Sequence, residues 1–458
     1  MTRNTKTAKK KKISPENDTK KSGGRECAAD PRALAVQSLL GIERDGRFSN
    51  IEIDSVIKNA GEMKAEDKAL YTRLVYGVTE TRLTLDYAIS RFADRALTDI
   101  EPEVLTALRL GVYQLRFMDK IPEYSAVNES VRLVPSKSRG FVNAVLRAYQ
   151  RAGGVFPMPE DRDKYLEVMY SVPAPLIAVY KKACRGDDAE TEELLRALTC
   201  ERMTGLRLNT LKNIGAREAA LLLPDSIPSR IAPDIVLVPG VGEEVRRGLE
   251  EGLWFVQDEA SRITARALGA EAGMLVIDTC ACPGGKSFSA AMDMENTGEL
   301  YSFDLHKNKL SLIEKTSSRL GITIIKTAAR DARVPDESLI GRADRVLCDA
   351  PCSGLGVIAK KPEIRYKNPD DILRLPEIQR GVLEGASRYV KEGGLLVYST
   401  CTLNPDENEA VVEDFLARHG EFALCPDADG LTGDGVRTFY PHRDFCDGFF
   451  AARMKRIK

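Results

Sequence analysis

The sequence predicts a multidomain chain: an all-α bundle, then a small α+β segment, then an α/β domain on a mostly parallel sheet. Three observations predict it. At 458 residues the chain exceeds what one core organises. Up to about residue 151 apolar residues recur with the period of a helix. From Gly273 onward short apolar runs alternate with helical stretches, the rhythm of strand–helix–strand units.

Composition narrows the class. With 43% hydrophobic and 29% charged residues the chain reads as soluble and globular. No run approaches the ~18 apolar residues of a membrane span and the start has no apolar signal core, so a cytoplasmic protein without membrane contact is expected. The net charge of -1 is uneven, because residues 1–25 hold nine Lys/Arg against Glu16 and Asp18. Residues 1–27 are therefore expected to be a disordered basic tail, either a salt-dependent arm for nucleic acid or a solubilising segment. The ten cysteines without a secretion signal are read as thiols. No Cys-x-x-Cys pair occurs and only three histidines are present, so no metal site is expected. Five cysteines fall in three short motifs: Cys280 and Cys282, Cys348 and Cys352, and Cys401.

The first domain is placed at 28–155. Asp30-Pro31 is a helix start, with a capping acid and proline at the first position. Leu70, Leu74 and Val78 share one helical face, and Leu105, Leu108, Val112 and Leu115 another. Asp67-Lys68-Ala69-Leu70-Tyr71-Thr72-Arg73-Leu74-Val75-Tyr76-Gly77-Val78, Ala126-Val127-Asn128-Glu129-Ser130-Val131 and Gly140-Phe141-Val142-Asn143-Ala144-Val145-Leu146-Arg147 resemble the NusB-like RNA-binding domain. That resemblance implies a helical bundle that binds RNA or protein. Two Gly and two Pro between Gly153 and Pro159 mark a linker.

The second domain, 160–270, is read as an α+β connecting or RNA-binding unit. It has a helix at 191–199 and strands at 205–209 and 234–238. Arg207 with Asn209 could grip a phosphate or close a sheet edge, and Trp254 is assigned to core.

The third domain spans 271–458. Strands are expected at 274–277, 300–303, 322–325, 345–348 and 395–398, with helices at 307–320, 375–390 and 405–418. The first strand runs into Asp278-Thr279-Cys280-Ala281-Cys282-Pro283-Gly284-Gly285-Lys286, where glycines let backbone approach a ligand. Neither the Walker pattern nor the dinucleotide Gly-x-Gly-x-x-Gly is present. Asp304, Asp331 and Asp349 follow successive strands. A lone acid there is usually a cap. Three acids with no phosphate loop point to S-adenosylmethionine as cofactor rather than NAD or ATP.

The motifs Cys280-Ala281-Cys282-Pro283-Gly284-Gly285-Lys286, Asp349-Ala350-Pro351-Cys352-Ser353-Gly354, Ser399-Thr400-Cys401-Thr402 and Asn404-Pro405-x-Glu407-Asn408-Glu409 resemble the RNA cytosine-5 methyltransferases. Among these the chain is similar to the bacterial Sun/Fmu type acting on 16S ribosomal RNA, which joins a NusB-like domain to a Rossmann-like S-adenosylmethionine-dependent domain. The ending Asp447-Gly448-Phe449-Phe450 fits as a last inserted strand.

The resemblance implies roles residue by residue. Cys280, Ala281, Cys282, Pro283, Gly284, Gly285 and Lys286 would cradle the methionine end of the cofactor. Asp304 would hold the ribose, Asp331 the adenine, and Asp349 would lie beside cofactor and base. Cys401 would be the nucleophile and Cys352 the helper in product release. Cys282 stands where the family usually has Ala and is read as packing. The chemistry needs such a thiol, because cytosine C5 becomes nucleophilic only after a thiolate adds at C6. The base must leave its stack, so an unpaired RNA loop, 16S rRNA outside the fully assembled subunit, is the expected partner of a monomeric enzyme. Lys360-Lys361-Pro362-Glu363-Ile364-Arg365-Tyr366 offers three cations and an aromatic to RNA, or else is a solvated loop. A tRNA cytosine-5 methyltransferase would share all of this. A non-catalytic RNA-binding assembly factor would have no need of both thiols.

Overall fold

The computed structural model describes residues 30–458 apart from 60, 62, 201, 427–430 and 432; the basic tail expected at 1–27 lies outside the described residues. Helix α1 (Pro31–Asp45) begins at Asp30, whose carboxylate accepts from Arg32 N at 2.9 Å. α2 (Ser49–Asn59), α3 (Ala65–Glu80), α4 (Arg82–Ser90), α5 (Pro102–Phe117), α6 (Glu123–Arg132) and α7 (Ser136–Arg151) close around one apolar core. α5 is the axis of this bundle and is buried nearly all round from Val104 to Gln114, wider than the single stripe expected from its sequence. Gly77 lets α3 lie against α5, since a Cβ there would fall 2.0 Å from the Tyr113 ring. Arg109, buried on α5, is satisfied by Asp86 at 2.6 and 2.9 Å and by Glu43 at 2.9 Å.

α8 (Arg162–Tyr170), α9 (Ala174–Ala183) and α10 (Asp188–Thr199) form a further helical layer. Their apolar faces do not close on the strands that follow in sequence. They share a core with Leu355, Ile358, Ile364, Ile372 and Leu403, all from the α/β part. The small sheet that follows is antiparallel, in the order β2-β3-β1-β4. It is built from β1 (Thr204–Leu208), β2 (Ile227–Pro228), β3 (Ile235–Val238) and β4 (Trp254–Val256), with α11 (Ala216–Leu222) and α12 (Glu243–Glu251) on it. Trp254 is core, its Nε1 donating to Val245 O at 3.0 Å. Arg207 pairs with Asp234 at 3.0 Å, and Asn209 donates to Gly252 O and Leu320 O at 2.7 and 2.9 Å. Asn209, through Leu320, and Arg207, which also lies 3.7 Å from Asp293 at the end of α14, join the sheet to its neighbour, so neither is left to grip a phosphate.

The α/β layer begins earlier than residue 271, because α13 (Glu259–Ala267) already packs Ala260, Ile263 and Ala267 on Phe439, Phe449 and Ala451. Its strands are β5 (Leu275–Asp278), β6 (Glu299–Asp304), β7 (Ile325–Ala329), β8 (Ala343–Asp349), β9 (Val390–Thr400), β10 (Phe422–Leu424), β11 (Val436–Phe439) and β12 (Phe449–Arg456). Helices α14 (Gly285–Asp293), α15 (Lys307–Leu320), α16 (Pro369–Ser387), α17 (Glu409–Arg418) and α18 (Pro441–Asp444) connect them. The order is β7-β6-β5-β8-β9-β12-β10, with β11 also on β12. β5 to β9 are parallel and β12 inserts antiparallel beside β9, which makes the fold Rossmann-like.

Three elements sit differently from their sequence pattern. β7 starts at Ile325 rather than at 322, because Gly321 at φ +79° ends α15 and the chain needs three residues to reach the sheet edge. α16 starts at Pro369, where the Asn368 side chain caps Asp370 N at 3.1 Å, and it accommodates Pro376. α17 starts at Glu409 rather than at 405, because residues 404–408 turn inward to hydrogen-bond in the site described next. Among the described residues no helix is long and apolar enough to cross a membrane.

Candidate active site

β5 and β8 are neighbours, and the chain leaves them toward opposite edges of the sheet. Their carboxyl ends therefore open on the switch point where ligands bind in such sheets. Asp278 ends β5 and Asp349 ends β8. After β5 the backbone turns through Gly284 at φ +110°, where a Cβ would lie 2.3 Å from the Phe288 ring; only glycine fits. The same turn is laid against β6: Ala281 N donates to Phe303 O at 2.8 Å and Cys282 N to Asp304 Oδ2 at 3.3 Å. The other oxygen of Asp304 accepts from His306 N at 2.9 Å. Asp331, just past β7, is forked by the Arg333 guanidinium, which holds its carboxyl below the usual range.

Lys286, in the first turn of α14, places Nζ 2.7 Å from Asp349 Oδ2 and 4.7 Å from the Phe449 ring centre. Ser399 Oγ donates to Asp349 Oδ1 at 2.7 Å. Parallel pairing of β8 with β9 sets Asp349 opposite Ser399, so the loops that follow carry Cys352 and Cys401 to each other. Their sulfurs are 3.2 Å apart. The Cys401 thiol is held below its usual range by its hydrogen-bond contact with Cys352 and by Lys286 and Lys361, against burial and Asp349. Cys352 is pushed well up, first by its contact with Cys401 and then by burial, Glu407 and Asp349. Burial pushes Cys280 and Cys282 up as well, and Cys282 packs on the apolar core around Phe288 with its Sγ donating to Lys309 O at 3.6 Å.

Two buried acids were not singled out from the sequence. Asp278 accepts from Ser287 Oγ at 2.7 Å and Cys280 N at 3.3 Å, and burial pushes its carboxyl up to about 7. Its signal was available, since it ends a strand as Asp349 does. Glu407 is fully buried and accepts from Ser353 N, Ser353 Oγ, Gln379 Nε2 and Asn404 Nδ2 at 2.9, 2.6, 3.0 and 3.0 Å. Nothing local in the sequence announces those partners.

The segment 360–366 is held to the rest of the fold through most of its side chains. Lys360 bridges Asp258 and Asp447 at 3.1 and 2.7 Å. Arg365 is buried and donates to Glu80 O, Tyr366 donates to Thr79 O at 3.0 Å, and Ser49 donates to Glu363 at 2.7 Å. This segment docks the α/β domain onto the bundle.

The donor set at this edge is carboxylates, serines and backbone, and its lysine is already neutralised by Asp349. Such a set suits a ligand with ribose hydroxyls and an ammonium and without phosphates. S-adenosylmethionine has that composition, and the glycine turn leaves backbone open toward it, so the residues present fit. A parallel sheet with this acid-lined edge and an inserted antiparallel strand defines an S-adenosylmethionine-dependent methyltransferase.

Residues 265–455 match the family described as 16S rRNA methyltransferase RsmB/F, and residues 29–151 match the NusB family. The chain is 36% identical over 445 residues to the probable ribosomal RNA small subunit methyltransferase B of Bacillus subtilis (strain 168), covering 93% of this chain and 98% of that one. It is 34% identical over 446 residues to the protein of the same name from Synechocystis sp. (strain ATCC 27184 / PCC 6803 / Kazusa), covering 93% and 99%. The crystal structure of PH0851 superposes with a TM-score of 0.78 at 27% identity, covering 94% of this chain and all of that one. The chain belongs to the ribosomal RNA small subunit methyltransferase B family, and it is an S-adenosylmethionine-dependent ribosomal RNA methyltransferase.

Proposed function

We propose that the chain methylates C5 of a cytosine in 16S ribosomal RNA through a covalent bond from Cys401 to C6. The observation that carries this reading is the thiol pair: Cys401 faces Cys352 at 3.2 Å beside the Lys286–Asp349 pair, where the glycine turn ends. Cys280 to Lys286, with Asp304, Asp331 and Asp349, would hold the cofactor. Bound S-adenosylmethionine supplies an electrophilic methyl group on a sulfonium.

The chain's own residues do the rest. Lys286 and Lys361 favour the Cys401 thiolate, which adds to C6 and makes C5 a carbon nucleophile. Release requires the C5 proton to pass to water and the Cys401 sulfur to leave C6. Cys352, kept as a thiol, donates a hydrogen bond to the departing sulfur. The alternative of a non-catalytic assembly factor leaves this arrangement without a purpose.

An RNA path is supported by a cleft of about 990 Å³ lined by α2, α3, the end of α10 and the residues just after it, residues 239 and 246, and residues 359, 360 and 365. Lys68, Arg73 and Arg246 line it and make no ion pair among the described residues, so their charges remain available to phosphates. We take the acting species to be a monomer, since one chain carries both thiols and the cleft.

Cys401→Ala should abolish methylation, by at least about 10³-fold, while cofactor binding by calorimetry is retained. Cys352→Ala should accumulate a protein–RNA adduct, seen as a slow band on a denaturing gel. An adduct in Cys401→Ala instead would reverse the two roles. Bisulfite sequencing of ribosomal and transfer RNA from cells with and without the gene separates a 16S target from a tRNA target.

A further inference from the structure

Phe445 is the most exposed phenylalanine among the described residues, 75% open to solvent, while Cys446 and Asp447 beside it are buried. It follows α18 in the left-handed region at φ +59°, a place that helix ends usually give to Gly or Asn. The backbone around it is held fast. Arg202 donates to Cys446 O at 2.8 Å, Asp447 N donates to Asp258 at 3.2 Å, and Lys360 pairs with Asp447 at 2.7 Å. An aromatic ring therefore stands in solvent on a fixed stem, and binding a flat partner there costs little ordering.

The ring lines an open cavity of about 460 Å³, with Arg196, Ala197, Cys200, Arg202 and Pro441 among its other walls. Cys200 and Arg202 line the 990 Å³ cleft as well, so the two hollows form one continuous surface. Two arginines meet one acid, Glu193, in the smaller hollow. Arg202 donates to the carbonyls of Ala197, Pro441 and Cys446 and makes no ion pair among the described residues, so its charge is not cancelled by a carboxylate. Further along the same strand, Gly448 N donates to Gly356 O at 2.9 Å, and Gly356 N donates to Cys401 O at 3.0 Å. The Phe449 ring then lies 4.7 Å from Lys286 Nζ. Four residues span at most about 14 Å, so Phe445 stands within reach of the same RNA strand as the thiols.

We propose that Phe445 is a stacking platform for an unpaired RNA base neighbouring the one that reacts. The proposal deepens the RNA-path reading and rests on it: Lys68, Arg73 and Arg246 take phosphates in the cleft, and the ring takes a base face at its far end. A lone exposed apolar side chain is ordinary on a protein surface. Continuity with the cleft and the flanking arginines single this one out, because aromatic rings beside cations are the recurring means of holding single strands.

The test uses the full chain and a fluorescein-labelled RNA single strand of about 12 nucleotides, read by anisotropy, with an RNA duplex of the same length beside it. Phe445→Ala should weaken single-strand binding about tenfold. Its duplex affinity should stay within about twofold, since duplex bases already stack on each other. The salt slope should not change, because no phosphate contact is lost. Phe445→Tyr keeps a ring and should stay within about twofold of wild type on both probes. On a protein-free 16S rRNA transcript, Phe445→Ala should raise KM and leave kcat within about twofold, as the ring touches no reacting group. Unchanged single-strand affinity in Phe445→Ala overturns the proposal, and so does an equal fall on the duplex or an equal fall in Phe445→Tyr. The cleft is tested apart from the ring: Lys68→Ala should lower the single-strand salt slope by about 0.7. No change there overturns the path through the cleft, and the single-strand and duplex affinities of Phe445→Ala still decide the ring.

Discussion

The two halves of the sheet's carboxyl edge are built on different plans. On the β5–β7 side each acid is tied locally: Asp278 to Ser287, Asp304 to His306 and the turn beside it, Asp331 to Arg333 two residues on. On the β8–β9 side the ties cross the fold. Asp349 meets Lys286 of α14 and Ser399 of β9, and Glu407 gathers Ser353, Gln379 and Asn404. Local ties leave Asp304 and Asp331, both half-buried, where a ligand can reach them with little rearrangement. Crossed ties fix two reactive sulfurs in one geometry. A cofactor that must come and go suits the first plan, and covalent chemistry suits the second.

Substitutions should separate the halves. The largest effect on the β5–β7 side is expected for Gly284→Val, where φ +110° and the Phe288 ring both reject a branched side chain. Cofactor affinity by calorimetry should fall at least about 100-fold, while the Cys401:Cys352 alkylation ratio stays. On the other side, Lys286→Met removes a cation that favours the Cys401 thiolate, so ionisation then needs higher pH. The acid limb of kcat against pH should move upward, with kcat near neutrality down about tenfold. A downward or absent shift would show that Lys286 does not act on Cys401.

Asp278→Asn tests a single buried acid. Its carboxyl titrates near 3.8 when unfolded and is pushed up to about 7 in the fold, chiefly by burial. Between those values the folded state holds a proton that the unfolded chain has lost, so this group's contribution to stability falls as pH rises and levels off above about 7. The Tm of Asp278→Asn should therefore gain on the wild type as pH rises from 4 to 7. A constant difference would place the acid in a polar setting. The smallest effect is expected for Asp331→Ala: the side chain is partly exposed and already held by Arg333, so cofactor affinity should change only a few-fold.

Where sequence and structure diverge, the divergence lies mostly in and around this site. Residues 405–408 have a helical pattern but form a turn, because Glu407 and Asn408 bond inward instead. The segment 360–366 reads from the sequence as three cations beside one aromatic, with no sign of its docking role. Its partners lie far away in the chain, Arg365 with Glu80 and Tyr366 with Thr79, 285 and 287 positions apart. The apolar partners of α8–α10 are equally distant in the chain, among them Leu355 and Ile358.

By itself the sequence determined whatever depends on a few neighbouring residues: the cap at Asp30, the strand–turn–helix around Gly284, the acids at strand ends, and the motifs that hold both thiols. Those signals are local because caps, turns and periodicity involve residues within a turn or two of each other. Only the tertiary structure decided how the charges are distributed over the thiols, which acids are buried, and which cations remain for RNA. A thiol's ionisation is set by its near surroundings, and at Cys401 the groups that act on it come from α14, β8 and the loop after β8.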